Sequence, residues 1–182
     1  MPKREFTLFD TPIGRCGIAW TADAIVGLQL PESSADTARA RLLRRFPDAL
    51  ETAPPPFISA IIARIVALLS GEAADLSDIQ LDMDGVPDFS QQVYGIARQI
   101  PPGRTLTYGE IATLLGDKLL SRGVGEALGK NPFPIVVPCH RVIAANGKLG
   151  GFSARGGAET KRKLLAIEKA EAAGHPSLFD SV

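Results

Sequence analysis

In the first 84 residues, apolar positions first recur with the short spacing that is typical of strands. Further along they recur with the longer spacing that is typical of helices. Three runs bounded by turn residues favour strands, and two runs with apolar residues on one face favour helices. The strand runs are 6–14, 17–20 and 25–30, and the helical runs are 33–46 and 57–69. Residues 81–83 are a further candidate edge strand. The pattern predicts an α+β N-terminal domain over residues 1–84.

Helical spacing dominates the second half of the chain, which follows a turn-rich stretch at 84–88. The predicted helices are 90–100, the segment after Thr107, 121–130 and 160–170. The second and third of these are short and close together, as in a helix-turn-helix. We therefore expect a mostly helical C-terminal domain over residues 88–174, followed by a tail, 175–182.

One helix start carries a specific local signal. Thr107 and Glu110 have the spacing of a capping box, in which the threonine and the glutamate each bind the other's backbone N–H. The helix that they open is expected to bury Ile111, Leu114 and Leu115.

Composition limits the classes of protein that the chain can belong to. It is 45% hydrophobic and 22% charged, as in ordinary globular proteins. Arg64 interrupts the long apolar run at 58–69, which is too short to span a membrane. The first residues lack the apolar stretch of a signal peptide. We expect a cytoplasmic protein with no membrane partner.

Cysteine and histidine are scarce. The chain has two cysteines, Cys16 and Cys139, and two histidines, His140 and His175. Two distant cysteines do not make a disulfide framework, and the histidines do not have the spacing of a zinc site. We expect no metal and no cofactor.

Charge is unevenly distributed although the formal net charge is zero. Residues 1–85 carry 8 basic and 12 acidic side chains, and residues 86–182 carry 12 basic and 8 acidic ones. A basic half can indicate a polyanionic partner such as nucleic acid, and it can equally be an ordinary solvated face.

The apolar run 135–143 contains the strongest candidate for chemistry, because Cys139 lies there beside His140 and Arg141. A thiol attacks as the thiolate, and a neighbouring imidazole and guanidinium are expected to raise the ionised fraction. The alternative interpretation is an inert buried cysteine, with the histidine on the opposite face of a strand.

The predicted helix at 121–130 contains three glycines, Gly123, Gly125 and Gly129, each of which costs about 1 kcal/mol of helix stability relative to alanine. Close packing against another helix would explain them. A helix backbone that must approach a narrow surface, such as the floor of a nucleic-acid groove, would explain them equally well.

Five motifs in order resemble one family, the O6-alkylguanine-DNA alkyltransferases, also called methylated-DNA–protein-cysteine methyltransferases. The motifs are PPG at 101–103, TYGEIA at 107–112, RGVG at 122–125, NP at 131–132 and PCHRV at 138–142. The close match covers about residues 88–170, and the N-terminal half is similar only in outline. The resemblance implies a ribonuclease H-like α/β N-terminal domain and a C-terminal domain with a helix-turn-helix.

The resemblance also implies a reaction and the residues that perform it. Cys139 would be the nucleophile and alkyl acceptor, His140 a base acting through a water, and Glu168 the carboxylate that orients the imidazole. Tyr108 would hydrogen-bond a guanine ring nitrogen and Ser153 would contact O6. The thioether is not hydrolysed in this family, so each molecule would act once.

DNA contacts are implied by the same motifs. Arg122 would fill the space that an extruded base leaves, and Asn131 would tie the recognition helix to the active-site segment. The backbone of Val137 and Cys139 would read the exocyclic amine of guanine. Gly123 would belong to the glycine-rich helix face in the minor groove.

The expected partner is double-stranded DNA that contains O6-alkylguanine, with O4-alkylthymine as a second substrate, and the expected state is a monomer without metal. The segment 154–158 looks longer than in some relatives, which leaves the accepted alkyl size open. Two other functions stay open: a non-catalytic alkyltransferase-like damage sensor, and a cysteine hydrolase that uses Cys139 and His140.

Overall fold

The structure, a computed structural model, describes residues 2–170, and the chain forms two units. The first consists of Met1–Asp84 together with Pro132–Pro134, and the second of Gly85–Asn131 and the residues from Ile135 onward. The predicted tail at 175–182 lies outside the described residues. The predicted mixed α+β fold is confirmed, whereas the ribonuclease H-like and helix-turn-helix assignments stay predictions. No helix among residues 2–170 is long and apolar enough to cross a membrane.

The first unit contains a four-stranded sheet. Its strands are β1 (Glu5–Thr11), β2 (Gly14–Trp20), β3 (Ile25–Gln29) and β4 (Leu50–Glu51). The order is β3-β2-β1-β4, in which β2 is antiparallel to both β1 and β3, and β4 is parallel to β1. Strand β4 was missed from the sequence, because two residues do not show an alternating pattern.

Two helices accompany this sheet, α1 (Ala35–Arg45) and α2 (Pro56–Leu69). Helix α1 begins where the Ser34 side chain accepts a hydrogen bond from the backbone N–H of Thr37, which satisfies one of the free donors at a helix start. Helix α2 begins with a proline, whose fixed φ suits the first helical position. Ala38 and Leu42 of α1 are buried in the same apolar cluster as strand residues such as Phe6.

Residues 81–83 do not form the edge strand that we predicted. Leu81 makes a single parallel bridge to Ile25, and no ladder follows from it. Leu81 and Met83 are only partly buried, so the segment lacks the buried apolar surface that would hold a longer pairing.

The second unit is mostly helical. Its helices are α3 (Asp88–Ala97), α4 (Tyr108–Leu114), α5 (Ser121–Gly129) and α6 (Ala158–Ile167), and single 3₁₀ turns occur at Lys118–Leu120, Cys139–Arg141 and Ala145–Gly147. The strands β5 (Leu106–Thr107) and β6 (Val142–Ile143) pair in parallel. This short ladder places the start of α4 beside the segment that follows Cys139.

The capping box at the start of α4 is confirmed. Thr107 Oγ1 accepts from the backbone N–H of Glu110 at 3.0 Å, and Glu110 Oε2 accepts from the N–H of Thr107 at 2.7 Å. The predicted burial of Leu114 is wrong, because this side chain is 47% exposed. Ile111 and Ala112 occupy the buried face of the short helix instead, and Leu114 borders a cavity.

Candidate active site

Cys139 lies in the wall of an open cavity in the second unit. The cavity has a volume of about 1200 Å³, and Tyr108, Ser153 and Arg122 also line it. Cys139 begins a 3₁₀ turn directly after Pro138, and 9% of the residue is exposed. The residue is therefore largely buried but borders a space large enough for a planar base.

His140, the residue after Cys139, forms a buried pair with Glu168. The Nε2 atom of His140 lies 2.8 Å from Oε1 of Glu168, and both side chains are almost completely buried. Arg141 donates to the same carboxylate, from Nη2 to Oε1 at 2.7 Å and from Nε to Oε2 at 2.9 Å. His140 and Glu168 are thus in direct contact, and Cys139 is the residue that precedes His140; the catalytic roles of the three stay predictions.

Charges in this group follow from burial and pairing. Burial would raise the pKa of Glu168, but hydrogen bonds from His140 and Arg141 outweigh it and lower the pKa to about 2. Burial lowers the pKa of His140 despite the adjacent carboxylate. The carboxyl group is therefore ionised and the imidazole neutral near neutral pH.

The predicted effect of His140 and Arg141 on the thiol is not what the structure shows. Burial raises the pKa of Cys139, opposed by a hydrogen bond from the Asn131 side chain and by the charge of Lys161. His140 is neutral, and the Arg141 guanidinium binds Glu168 and the carbonyl oxygen of Ile100. Sequence neighbours are therefore not the charges that favour the thiolate.

Lys161 of α6 is a site residue that the sequence reading missed. It is completely buried, and its Nζ atom donates to the carbonyl oxygen of Val142 at 2.6 Å and to Tyr108 Oη at 3.3 Å. Burial lowers the pKa of Lys161 to about 8, while the Cys139 thiolate raises it. A lysine in a basic segment looks like a solvated residue, but its spacing from Leu164, Leu165 and Glu168 places it on the buried helix face.

Tyr108 is fixed at the first position of α4 and borders the cavity. Burial raises the pKa of Tyr108, and the nearby Cys139 thiolate raises it further. The phenol therefore keeps its proton near neutral pH. Gly150 approaches this ring closely: with φ of +74°, a Cβ on Gly150 would lie 2.7 Å from Tyr108 Oη.

Asn131 and Val137 meet behind the cavity rather than in it. Asn131 Nδ2 donates to the carbonyl oxygen of Val137 at 2.9 Å, and the backbone N–H of Cys139 donates to that same oxygen at 2.8 Å. The Val137 carbonyl thus already accepts two hydrogen bonds, so reading a guanine amine would require one of them to be exchanged.

The predicted DNA-contacting residues of α5 have different surroundings. Arg122 extends from the helix with its side chain 92% exposed, beside Glu126 at 3.4 Å. A Cβ on Gly123 would lie 3.2 Å from the Phe89 ring, so packing within the unit accounts for this glycine. Gly125 and Gly129 border the cavity. Contact between Gly123 and DNA stays a prediction.

Among residues 2–170, no group of three or more acidic, histidine or cysteine side chains is arranged to hold a metal ion. What the second unit does provide is a thiol, an imidazole and a carboxylate in one group, the three parts of an activated nucleophile, at the edge of a cavity with a phenol donor. A site of this composition is typical of proteins that act through a cysteine nucleophile.

Comparisons with known proteins agree with this class. Residues 88–170 match the family described as 6-O-methylguanine DNA methyltransferase, DNA binding domain. A methylated-DNA–protein-cysteine methyltransferase of Mycobacterium tuberculosis is 37% identical, over 97% of this chain and 99% of the relative. The relative from Methanothermobacter thermautotrophicus is 32% identical, over 86% of this chain and 81% of its own length.

Solved structures are similar as well. The M. tuberculosis OGT in complex with DNA is 36% identical with a TM-score of 0.71, and the match covers 92% of this chain and 96% of that one. The chain belongs to the methylated-DNA–protein-cysteine methyltransferase family.

Proposed function

We propose that the protein repairs DNA by moving the alkyl group of O6-alkylguanine in duplex DNA irreversibly to its own Cys139, acting once per molecule. The observation that carries the proposal is the position of Cys139, which lines an open cavity and directly precedes His140, itself bonded to the buried Glu168 carboxylate. O4-alkylthymine is a second substrate of the same kind. Membership of the family supports the reaction, and the geometry supports the choice of residue.

The nucleophile is prepared by the groups around it. The Cys139 proton passes to His140, through a water, while Lys161 and the Asn131 amide stabilise the thiolate that remains. Glu168 holds the imidazole by accepting a hydrogen bond from Nε2. A third group that orients the base is the usual arrangement in nucleophilic catalysis.

The leaving group is stabilised on the other side of the cavity. As the S–C bond forms, the bond from the alkyl carbon to O6 breaks and its electron pair moves to guanine. Tyr108 donates a proton to the guanine ring, and Ser153 contacts O6. The net result is an alkyl group on sulfur and one proton on guanine, supplied by Tyr108. Tyr108 regains a proton from solvent and His140 releases the former thiol proton to solvent, so the protons balance. Donors directed at developing charge are commonly worth about 3 kcal/mol each.

DNA must be opened for this reaction, because O6 lies inside the base stack and extrusion costs a few kcal/mol. Arg122 is the residue proposed to fill the vacated space, since its side chain is exposed at the rim of the cavity. Gly123, the next residue of α5, is proposed to let the helix backbone approach the minor groove. Asn131 ties α5 to the Cys139 segment, and the backbone at Val137 and Cys139 reads the guanine amine. The protein acts as a cytoplasmic monomer.

Paired cysteine variants test the choice of residue. Cys139→Ala should abolish transfer of a labelled methyl group from duplex DNA while binding to that DNA persists. Cys16→Ala is the matched control, because burial raises the pKa of Cys16 to about 12 and makes it inert. Transfer that survives in Cys139→Ala would overturn the proposal. Binding by the wild-type protein without transfer would support the damage sensor instead.

A further inference from the structure

Arg141 is a buried charge to which the proposed reaction gives no role. Its guanidinium makes three hydrogen bonds, two to Glu168 and one from Nη1 to the carbonyl oxygen of Ile100 at 2.7 Å. Only 7% of its side chain is exposed. A cation at this depth, bonded in three directions, is held in one orientation.

The fork of Arg141 fixes the plane of the Glu168 carboxylate. Parallel bonds from Nε and Nη2 reach both carboxylate oxygens, the bidentate geometry that only arginine provides. Oε1 is shared, because it also lies 2.8 Å from His140 Nε2. The anchor on Ile100 fixes the guanidinium, which fixes the carboxylate, and the carboxylate then orients the imidazole.

The same contacts select the tautomer of His140. An ionised carboxylate only accepts hydrogen bonds, so the proton of the neutral ring is on Nε2. Nδ1 then carries the lone pair, and it is buried without a hydrogen-bond partner among residues 2–170. The ring therefore has one nitrogen fixed in place and the other free to accept a proton.

Three charges face His140. Glu168 favours the imidazolium, whereas Arg141 in the same turn and Lys161 from α6 oppose it. Arg141 also compensates the negative charge of Glu168. Burial is therefore the largest effect on His140, and it favours the neutral ring. Without Arg141, an unpaired buried carboxylate would attract a proton to the imidazole and remove its basic lone pair.

We propose that Arg141 is a positioning residue, which pins Glu168 and keeps His140 neutral with Nδ1 available as the base. The proposal rests on the proposed function, because it assigns the proton acceptor of that reaction. It makes Arg141 act through two other side chains and not by contact with DNA or with the thiol.

The test compares Arg141→Met with Arg162→Met, a control that removes an exposed arginine paired with Glu159 on α6. Single-turnover transfer is measured against pH, and ¹⁵N NMR follows the titration of His140. In Arg141→Met the pKa of His140 should rise, and the acidic limb of the transfer profile should move up by about one pH unit or more. Arg162→Met should match the wild-type protein in both readouts.

The proposal would be overturned if Arg141→Met folds and both the acidic limb of its transfer–pH profile and the titration of His140 are unchanged. NMR spectra of the wild-type protein test the proposal without any variant. At about pH 7 they should show a neutral His140 protonated on Nε2, and an imidazolium or an Nδ1-protonated ring would contradict the proposal. Arg141→Lys keeps the positive charge but loses the two parallel hydrogen bonds to Glu168. It should therefore slow transfer while the acidic limb of the pH profile stays at the same pH. Failure of the wild-type protein to transfer would count against the proposed function alone, since the His140 titration is measured without DNA.

Discussion

The Nζ atom of Lys161 lies 3.3 Å from the phenolic oxygen of Tyr108, in a position that water does not reach. An ammonium group has donors only, so the Tyr108 oxygen accepts and its own proton is directed elsewhere. Because Tyr108 borders the cavity that Cys139 lines, that proton is available to a bound base. One buried cation thus supports both the thiolate and the donor that faces it.

Lys161→Met should slow alkyl transfer roughly tenfold, which corresponds to about 1.4 kcal/mol in the barrier. The physical reason is that loss of the charge raises the pKa of the Cys139 thiol and frees the Tyr108 proton to turn away. The rate of thiol alkylation by iodoacetamide against pH measures the first effect. Lys163→Met, an exposed lysine on the same helix, is the control, and equal losses in the two variants would contradict this role.

Gly150→Ala should destabilise the protein by about 1 to 2 kcal/mol and reduce transfer, because the position has φ of +74° and a Cβ would collide with the Tyr108 hydroxyl group. Gly151→Ala is the neighbouring control, since a Cβ there meets nothing within 4 Å. Urea unfolding and single-turnover transfer measure the two effects. Indistinguishable behaviour of the two variants would show that the loop does not need this close approach.

Local signals in the sequence predict the start of α4, but they do not predict contacts between segments that are distant in the chain. The capping box at Thr107 depends on residues three apart, so it was readable from the chain. The pairing of β5 with β6 depends on two-residue strands far apart in sequence, and no local pattern reveals it. The same limit applies to Arg141, which we had assigned to the thiol, because its partners Glu168 and Ile100 are distant in sequence.

The helical spacing of residues in α6 is sufficient to identify one more site residue, Lys161. Lys161, Leu164, Leu165 and Glu168 lie at the i, i+3, i+4 and i+7 positions of one helix face. Two charged residues on an apolar stripe indicate buried, paired charges, and this pattern identifies Lys161 without the structure. Burial, which sets the direction of the pKa of Cys139, could not be read in the same way.

Arg122→Ala should reduce transfer from duplex DNA roughly tenfold or more and leave transfer from a free O6-alkylguanine base almost unchanged. Arg122 is exposed and its ion pair with Glu126 is weak, so the stability of the fold should change by less than about 0.5 kcal/mol. Rates on the two substrates provide the comparison. Equal losses on both would contradict a role in base extrusion.

Acid should destabilise the protein in two stages. His140 has a lowered pKa in the folded state, so unfolding takes up a proton and stability falls as the pH drops below about 6.5. Glu168 has a folded pKa of about 2, below the ordinary glutamate value of 4.5, so its contribution to stability is present above pH 4.5 and is lost as the pH falls towards 2.

Denaturant unfolding of the wild-type protein and of Glu168→Gln, at about pH 7 and about pH 3, separates the second stage. At about pH 7 the wild-type protein should have a larger free energy of unfolding than Glu168→Gln. This difference between the two proteins should be smaller at about pH 3. A constant difference would show that Glu168 does not titrate with the depressed pKa.

Mass spectrometry of the protein after incubation with duplex DNA that contains O6-methylguanine tests the central claim most directly. The mass should increase by one methyl group per molecule, and peptide mapping should locate that group on the peptide that contains Cys139. No further increase should occur when the DNA is in excess. An unmodified protein, or a methyl group on any other residue, would contradict it.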